Sequence, residues 1–256
     1  MKNLLLLFLS IFLFTQCGDE GLSGSDTSGI NGSYSQIVVS KDFLYGINNN
    51  QLTTLNIADK DDVKTVDVQI LDYDIESIFI NSNTMFVGSA SRMYIFELEE
   101  ETGIPVPLSQ QEYNASFFEE EVICTSDPIV ATQNFAYVTL QTVLQDQCRN
   151  VNINQLRIYD ISDLQAPQLL STTEMVRPKG LGIVGNTLFV CDGNNGLKIY
   201  DVSDPLIPIE KYHFPGFDSY DLIARNGLLL VVAEDQLLQY DFQDLNNIYL
   251  LGTIDL

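Results

Sequence analysis

The chain has 256 residues, and its 35 acidic against 12 basic side chains give a net charge of −23 at neutral pH. A charge this negative excludes nucleic acid and anionic lipid surfaces as general partners, because both repel a polyanion. We therefore predict no nucleic-acid partner. The length suffices for one large domain with its own core.

The first 16 residues have the pattern of an export signal. Lys2 provides a positive start, and the apolar run from Leu4 to Phe14 is too short to span a bilayer. The run ends at Phe14-Thr15-Gln16-Cys17, which resembles a lipoprotein signal-peptidase site, although Gln16 replaces the usual small residue. The resemblance implies that residues 1–16 are removed and that Cys17 carries the lipid.

The acidic start Gly18-Asp19-Glu20 resembles the surface-export signals of Bacteroidota lipoproteins, whose cleavage sites are also looser. This resemblance implies an outer-membrane lipoprotein at the cell surface, held to the membrane through Cys17. The alternative is an ordinary cleaved signal followed by a chance cysteine. Residues 17–33 are rich in Gly, Ser and Asp and predict a flexible tether, which leaves residues 34–256 as the folded domain.

The most complete unit of that domain is the segment 179–216. The runs 181–185, 188–191 and 197–202 are apolar on both faces, whereas 209–214 alternates and ends at Pro215-Gly216. Such a pattern predicts three buried strands and one half-exposed outer strand. Sheets of this kind need cover on both sides, and similar sheets packed face to face around an axis provide it.

Four further copies align on the third strand of this unit. The five third strands are LTTLNI (52–57), MYIFEL (93–98), LRIYDI (156–161), LKIYDV (197–202) and LLQYDF (237–242), and their starts are 41, 63, 41 and 40 residues apart. A period near forty with four short strands predicts an all-β β-propeller of about five four-stranded blades. A β-sandwich is the alternative. We expect the ring to close by face packing between blades one and five.

The run GLKIYDVSDPLIP (196–208), and more weakly QLRIYDISDLQAP (155–167), resembles the LVIVD repeat. The Ser-Asp-Pro turn is missing from the other copies, so the strong motif covers only part of the domain. The resemblance implies a propeller, often on secreted or surface-anchored bacterial proteins. It implies no established activity and no catalytic residues.

Blade three departs from the repeat. About twelve residues are inserted near 141–152 and a second excess lies around 112–125, and the two connections open on one face of a propeller. Each insertion contains one cysteine, Cys124 or Cys148, which in an exported protein predicts a disulfide. Cys191 lies mid-strand and is interpreted as a small buried residue.

The same face collects cations and aromatic side chains. This predicts a binding face for a sugar, a carboxylate ligand or a protein partner. The alternative is that the cations balance local carboxylates and the rings pack under loops. The candidate residues are Arg92, Arg149, Arg177, Lys179, Tyr73, Tyr113, Phe217 and Tyr220.

The sequence contains no catalytic motif, metal-ligand spacing or phosphate loop, so we predict no cofactor and no metal. Glu76 and Asp127 lie just before innermost strands and form the one candidate acid/base pair. The first hypothesis is a membrane-anchored binding or scaffolding lipoprotein that holds an unknown protein or glycan on the blade-three face. The alternative is a glycan-cleaving enzyme that uses Glu76 and Asp127.

Overall fold

The computed structural model describes residues 36–71, 75–113, 125–126, 128–142 and 153–256. These residues form five antiparallel sheets of a β-propeller, each with four strands in chain order from the inner to the outer edge. The described residues include no helix long and apolar enough to cross a membrane.

The strands are as follows. Blade one has β1 (Ile37–Ser40), β2 (Phe43–Asn48), β3 (Gln51–Asn56) and β4 (Lys64–Ile70); blade two has β5 (Ile75–Asn81), β6 (Thr84–Ser89), β7 (Arg92–Leu98) and β8 (Pro105–Glu112). Blade three has β9 (Thr125–Ser126), β10 (Ile129–Ala131), β11 (Phe135–Thr142), β12 (Asn154–Asp160) and β13 (Gln168–Glu174). Blade four has β14 (Leu181–Val184), β15 (Thr187–Cys191), β16 (Leu197–Asp201) and β17 (Ile209–Phe214), and blade five has β18 (Ser219–Arg225), β19 (Leu228–Ala233), β20 (Gln236–Asp241) and β21 (Tyr249–Asp255). The five blades and their third strands confirm the predicted repeat.

The repeat is also visible in the backbone. In every blade, the pairing of the third with the fourth strand shifts by one residue at the same place, between Ile199 and Tyr200 in blade four and between Ile95 and Phe96 in blade two. Such a bulge increases the local twist of the outer strand. Neighbouring twisted sheets can then pack face to face around the axis of the propeller.

The turn after the third strand explains the Asp-x-Ser part of the repeated motif. The Oδ1 atom of Asp201 accepts the backbone N–H of Ser203 at 3.0 Å, and that of Asp160 accepts the N–H of Ser162 at 2.8 Å. The bonds from these serines hold the pKa of both carboxyl groups below the usual value. The motif residues therefore form Asx turns that start the loop to the outer strand.

The core lies between the blades. We call the face that each blade turns to the next blade its leading face, and the opposite one its trailing face. Phe189, on the leading face of blade four, lies 5.0 Å from Phe242 of blade five between ring centroids. Hydrogen bonds tie the blades together farther out, since Ser171 Oγ of blade three donates to the carbonyl of Pro205 in blade four at 2.7 Å.

The expected closure between blades one and five is wrong for this structure. On the trailing face of blade one, Val39 is 56% exposed, and on the leading face of blade five, Ile223 is 40% exposed. The described strands that pack between blades join β1 to β5, β5 to β10, β10 to β14 and β14 to β18, and no comparable packing joins blade five to blade one. The five blades therefore form an open arc with an apolar face at each end.

Candidate functional site

The candidate site is the edge of the propeller where second strands end and innermost strands begin. We call this edge the rim. At blade four, the backbone N–H of Lys179, just before β14, donates to the carbonyl of Cys191, the last residue of β15, at 2.7 Å. Loops that lead into inner strands and hairpins that leave second strands therefore share one face, as the sequence predicted.

Blade three is extended at the rim by a fifth strand. β9 pairs with the end of β11, with Thr125 opposite Thr142 and Ser126 opposite Gln141. β9 is the end of the first insertion and Thr142 begins the second, so the end of one insertion lies beside the start of the other. These flanking residues lie at one rim, whereas the inserted residues 114–124 and 143–152 lie outside the described part of the chain, so where they open stays a prediction.

Several predicted residues lie outside the described part of the chain. They are Cys17, Tyr73, Cys124, Asp127, Cys148 and Arg149. The lipid anchor and the disulfide therefore stay predictions, as does the acid/base pair. Glu76 itself is half-buried and lies within β5, which begins at Ile75, rather than before the inner strand as the sequence indicated.

Lys179 and Arg177 meet one carboxylate of the neighbouring blade. The Nζ atom of Lys179 lies 3.0 Å from Oδ1 of Asp218 and 3.4 Å from the centroid of the Tyr220 ring. Arg177 Nη1 lies 3.5 Å from Oδ2 of the same aspartate. Lys179 is only 6% exposed, so its ammonium group pairs with groups of the protein and is not accessible to a ligand in solvent.

Tyr220 is covered by this ion pair. Burial, and then the charges of Asp218 and Glu234, raise the pKa of its hydroxyl group, while Arg177 lowers it. The ring stacks under Lys179 in a cation–π contact. The predicted cation and the predicted aromatic residue are thus brought together, and they bind each other.

Asp192 fixes the backbone of the loop that carries Arg177. Its side chain is fully buried, and Oδ1 accepts the backbone N–H groups of Val176 at 3.0 Å and Arg177 at 2.8 Å. The other oxygen, Oδ2, accepts from Asn195 at 2.8 Å and lies 3.2 Å from Nζ of Lys198. Asp192 therefore holds the loop that presents Arg177 in one conformation.

On blade two, Arg92 makes contacts within its own sheet. Its guanidinium group lies 3.4 Å from Glu112 and donates to Gln110 at 3.3 Å. Tyr113 is 4% exposed and packs in the core, while its carbonyl oxygen accepts a hydrogen bond from Arg157 of blade three. Phe217 is half-buried and packs against the core between blades four and five. These rings face protein rather than solvent.

Sequence reasoning missed Asp218, Asp192 and Arg157. The segment Asp192-Gly-Asn-Asn-Gly is recognisable as a turn, but the burial of its aspartate arises from loop 176–177, which is distant in sequence. Asp218 has no local signal either, because its partners lie 39 and 41 residues away.

The described residues offer little acid–base or metal chemistry. Cys191 is fully buried, as predicted, and burial raises the pKa of its thiol, so it stays protonated. His213 lies in the outer strand β17, where its Nε2 atom is 2.7 Å from the carbonyl of Asn195. Within the described ranges, no three His, Cys, Asp or Glu side chains cluster as a metal site would need.

Comparison with known proteins agrees with this architecture. The LVIVD repeat model matches residues 179–214, which are blade four and its entry. The search of curated proteins found no match.

Several solved structures resemble most of the chain. BamB from Moraxella catarrhalis has a TM-score of 0.55 at 11% identity, covering 86% of this chain and 63% of its own. The periplasmic gluconolactonase PpgL of Pseudomonas aeruginosa has a TM-score of 0.61 at 13% identity, covering 84% and 68%. A protein from Lactobacillus plantarum has a TM-score of 0.63 at 15% identity, covering 85% and 70%. At these identities the likeness establishes the fold alone, and the chain spans about two thirds of these proteins.

Proposed function

We propose that this protein is a binding or scaffolding lipoprotein, held at the outer membrane by a lipid on Cys17, that binds a glycan or protein at the rim of blade three. The observation that carries the proposal is the strand pair β9–β11. It places the end of the first insertion beside the start of the second on one sheet. Loops on a rigid scaffold are where propellers and similar folds usually bind ligands.

The rest of the rim fits a binding role because its charged groups are already fixed. Lys179 and Arg177 share Asp218, and Asp192 fixes the backbone of residues 176 and 177. A site whose side chains are ordered before binding loses less conformational freedom when the ligand arrives. Arg177, with a side chain 47% exposed, is the described cation best placed to reach a ligand.

A disulfide between Cys124 and Cys148 is part of the proposal. It would close a ring across the two insertions and hold them together. We expect alkylation of the native, unreduced protein to leave both thiols unmodified. The double variant Cys124→Ser with Cys148→Ser should keep the blades folded and bind more weakly.

The membrane anchor has its own test. The leader pattern supports it, and a similar fold occurs in a protein described as periplasmic. Cys17→Ala should give an uncleaved or soluble species, detected by membrane fractionation and by loss of metabolic labelling with a fatty acid. Unchanged fractionation of Cys17→Ala would reject the anchor.

Binding at the rim is tested by shortening the second insertion. Residues 143–152 are replaced by Asn-Gly, which can close a two-residue hairpin between β11 and β12. The purified variant and the wild type are compared on a printed glycan array and for capture of purified outer-membrane proteins. The matched control is Asp163→Ala, in the exposed turn after β12, away from the rim.

We expect the shortened variant to lose binding that the wild type and Asp163→Ala retain, without turnover of the ligand. Equal binding by all three proteins would reject the rim as the site. Turnover of a bound glycan that disappears in Glu76→Gln would instead support the enzymatic alternative.

A further inference from the structure

The two ends of the arc carry apolar faces that the proposed rim function does not use. On blade one, the trailing face presents Val39 at 56% exposure, with Leu44 and Leu55 half-buried beside it. On blade five, the leading face presents Ile223 at 40% and Val232 at 39%, with Leu230 half-buried between them. The pairing registers place Leu44 opposite both Val39 and Leu55, and Leu230 opposite Ile223, so each set forms one continuous patch.

Most of the same positions are buried where the chain supplies a neighbouring blade, although Ile183 and Ala224, which correspond to Val39, are half-buried. Val38, Phe79 and Val130 correspond to Ile223 and are 2%, 6% and 3% exposed. The residues that correspond to Leu44 in the other four blades are all fully buried: Met85, Ala136, Leu188 and Leu229. The exposure at the ends therefore reflects a missing neighbour and not a different kind of strand.

The two end faces correspond to the two faces that pack on each other at every interface between successive blades. Within the chain, a leading face always meets a trailing face, as Phe189 of blade four meets Phe242 of blade five. The arc ends with one unused leading face and one unused trailing face. At the positions of Phe189 and Phe242, these faces carry Leu230 and Ile57, which are both half-buried and aliphatic.

We propose that the two faces bind a second copy of this chain, with the leading face of blade five in one copy packed on the trailing face of blade one in the other. The contact continues the interface that the chain already makes between successive blades. It is heterologous, because each copy contributes a different face. The free leading face has Leu230 where the other four blades have Tyr45, Phe86, Tyr137 or Phe189, and this smaller contact suits an association that is reversible rather than permanent.

The experiment measures the mass of the purified full chain by analytical ultracentrifugation, in one detergent throughout. The wild type should be a dimer or a larger assembly. Val39→Glu places a carboxylate in the trailing face of blade one, and Ile223→Glu places one in the leading face of blade five. Each variant alone should be monomeric, with a dissociation constant raised at least about tenfold, because a carboxylate would be buried without a partner.

An equimolar mixture of the two variants provides the decisive result. Val39→Glu keeps an intact blade five and Ile223→Glu keeps an intact blade one, so one good contact can form between them. The mixture should give a one-to-one complex that grows no further. Leu169→Glu is the matched control, since Leu169 is 50% exposed on the outer strand of blade three, and it should behave as the wild type.

Circular dichroism of each variant checks that the blades are folded, as expected for changes at exposed positions. A monomeric wild type would overturn the proposal, whether its own ends close on each other or stay open. Association that survives both substitutions would place the contact elsewhere and would also overturn it, as would a mixture that forms no complex.

Discussion

The interior interfaces and the two ends of this propeller are formed by equivalent strands of the repeat. Those strands are covered by a neighbouring blade in the interior and exposed to solvent at the ends. Ile37 of blade one is 61% exposed, whereas its counterparts Ile78, Ile129, Leu181 and Leu222 are between 0% and 2% exposed. In a repeat architecture, each unit is completed by its neighbour rather than by its own sequence. Burial at a given repeat position is therefore decided by whether another blade lies beside it.

The strongest test of this comparison uses one residue type at two equivalent positions. Ile78→Ala should lower the free energy of unfolding by about 3 kcal/mol, because it leaves a cavity in a packed interface. Ile37→Ala should cost less than about 1 kcal/mol, since most of the side chain is already in water. Urea unfolding at low protein concentration measures both.

Equal costs for the two variants would contradict the open arc. The experiment also connects to self-association, because the Ile37→Ala cost should rise with protein concentration if a second copy covers this face. The Ile78→Ala cost should stay constant.

A second test concerns the polar side of the interior interface. Asp192→Ala should cost about 3 kcal/mol, because it leaves Lys198 and two backbone N–H groups without their buried acceptor. Asp201→Ala should cost much less, since Asp201 caps an exposed turn. Thermal unfolding at neutral pH compares the two variants, and similar melting temperatures would show that Asp192 is not a structural hub.

The fold was largely predictable because it depends on local pattern. Three of the four spacings between third strands are 40 or 41 residues, and LKIYDV and LRIYDI each contain both the strand and the aspartate of the turn that follows it. The bulge in every outer strand was not predicted, since no residue type marks it. The open arc was not predictable either. The strand LLLVVA of blade five reads as buried on both faces, yet Val232 is 39% exposed.

The rim was predictable in position but not in detail. Insertion lengths placed both loops on one face, and β9–β11 pairing agrees with that. The sequence also placed Lys179 and Tyr220 on this face, but it could not show that the Lys179 ammonium group lies on the Tyr220 ring and against Asp218. Such contacts join residues about forty positions apart, and only the packing of blade four on blade five brings them together.

The smallest effect that we expect is a loss of stability at alkaline pH. It tests whether the burial of a residue depends on the face on which it lies or on the blade to which it belongs. Burial raises the pKa of Tyr45 and of Tyr137 to about 12. Tyr45 belongs to an end blade, but it lies on the leading face that blade two covers, where it is 1% exposed and donates to the Gly103 carbonyl at 2.9 Å. If the neighbouring blade determines the pKa of the hydroxyl group, Tyr45 should titrate like Tyr137 of interior blade three.

Both hydroxyl groups stay protonated in the folded protein when the unfolded chain begins to ionise near the ordinary tyrosine pKa of about 10. Their stabilising contribution is therefore complete below pH 10 and is lost as the pH rises through about 12. Tyr45→Phe and Tyr137→Phe should each flatten this loss by a similar amount, measured by urea unfolding between pH 9 and pH 12 with phenolate absorbance as the titration signal. A loss of stability unchanged by Tyr45→Phe but reduced by Tyr137→Phe would mean that blade one is loosened as a whole, and the contrast would then lie between blades rather than between faces.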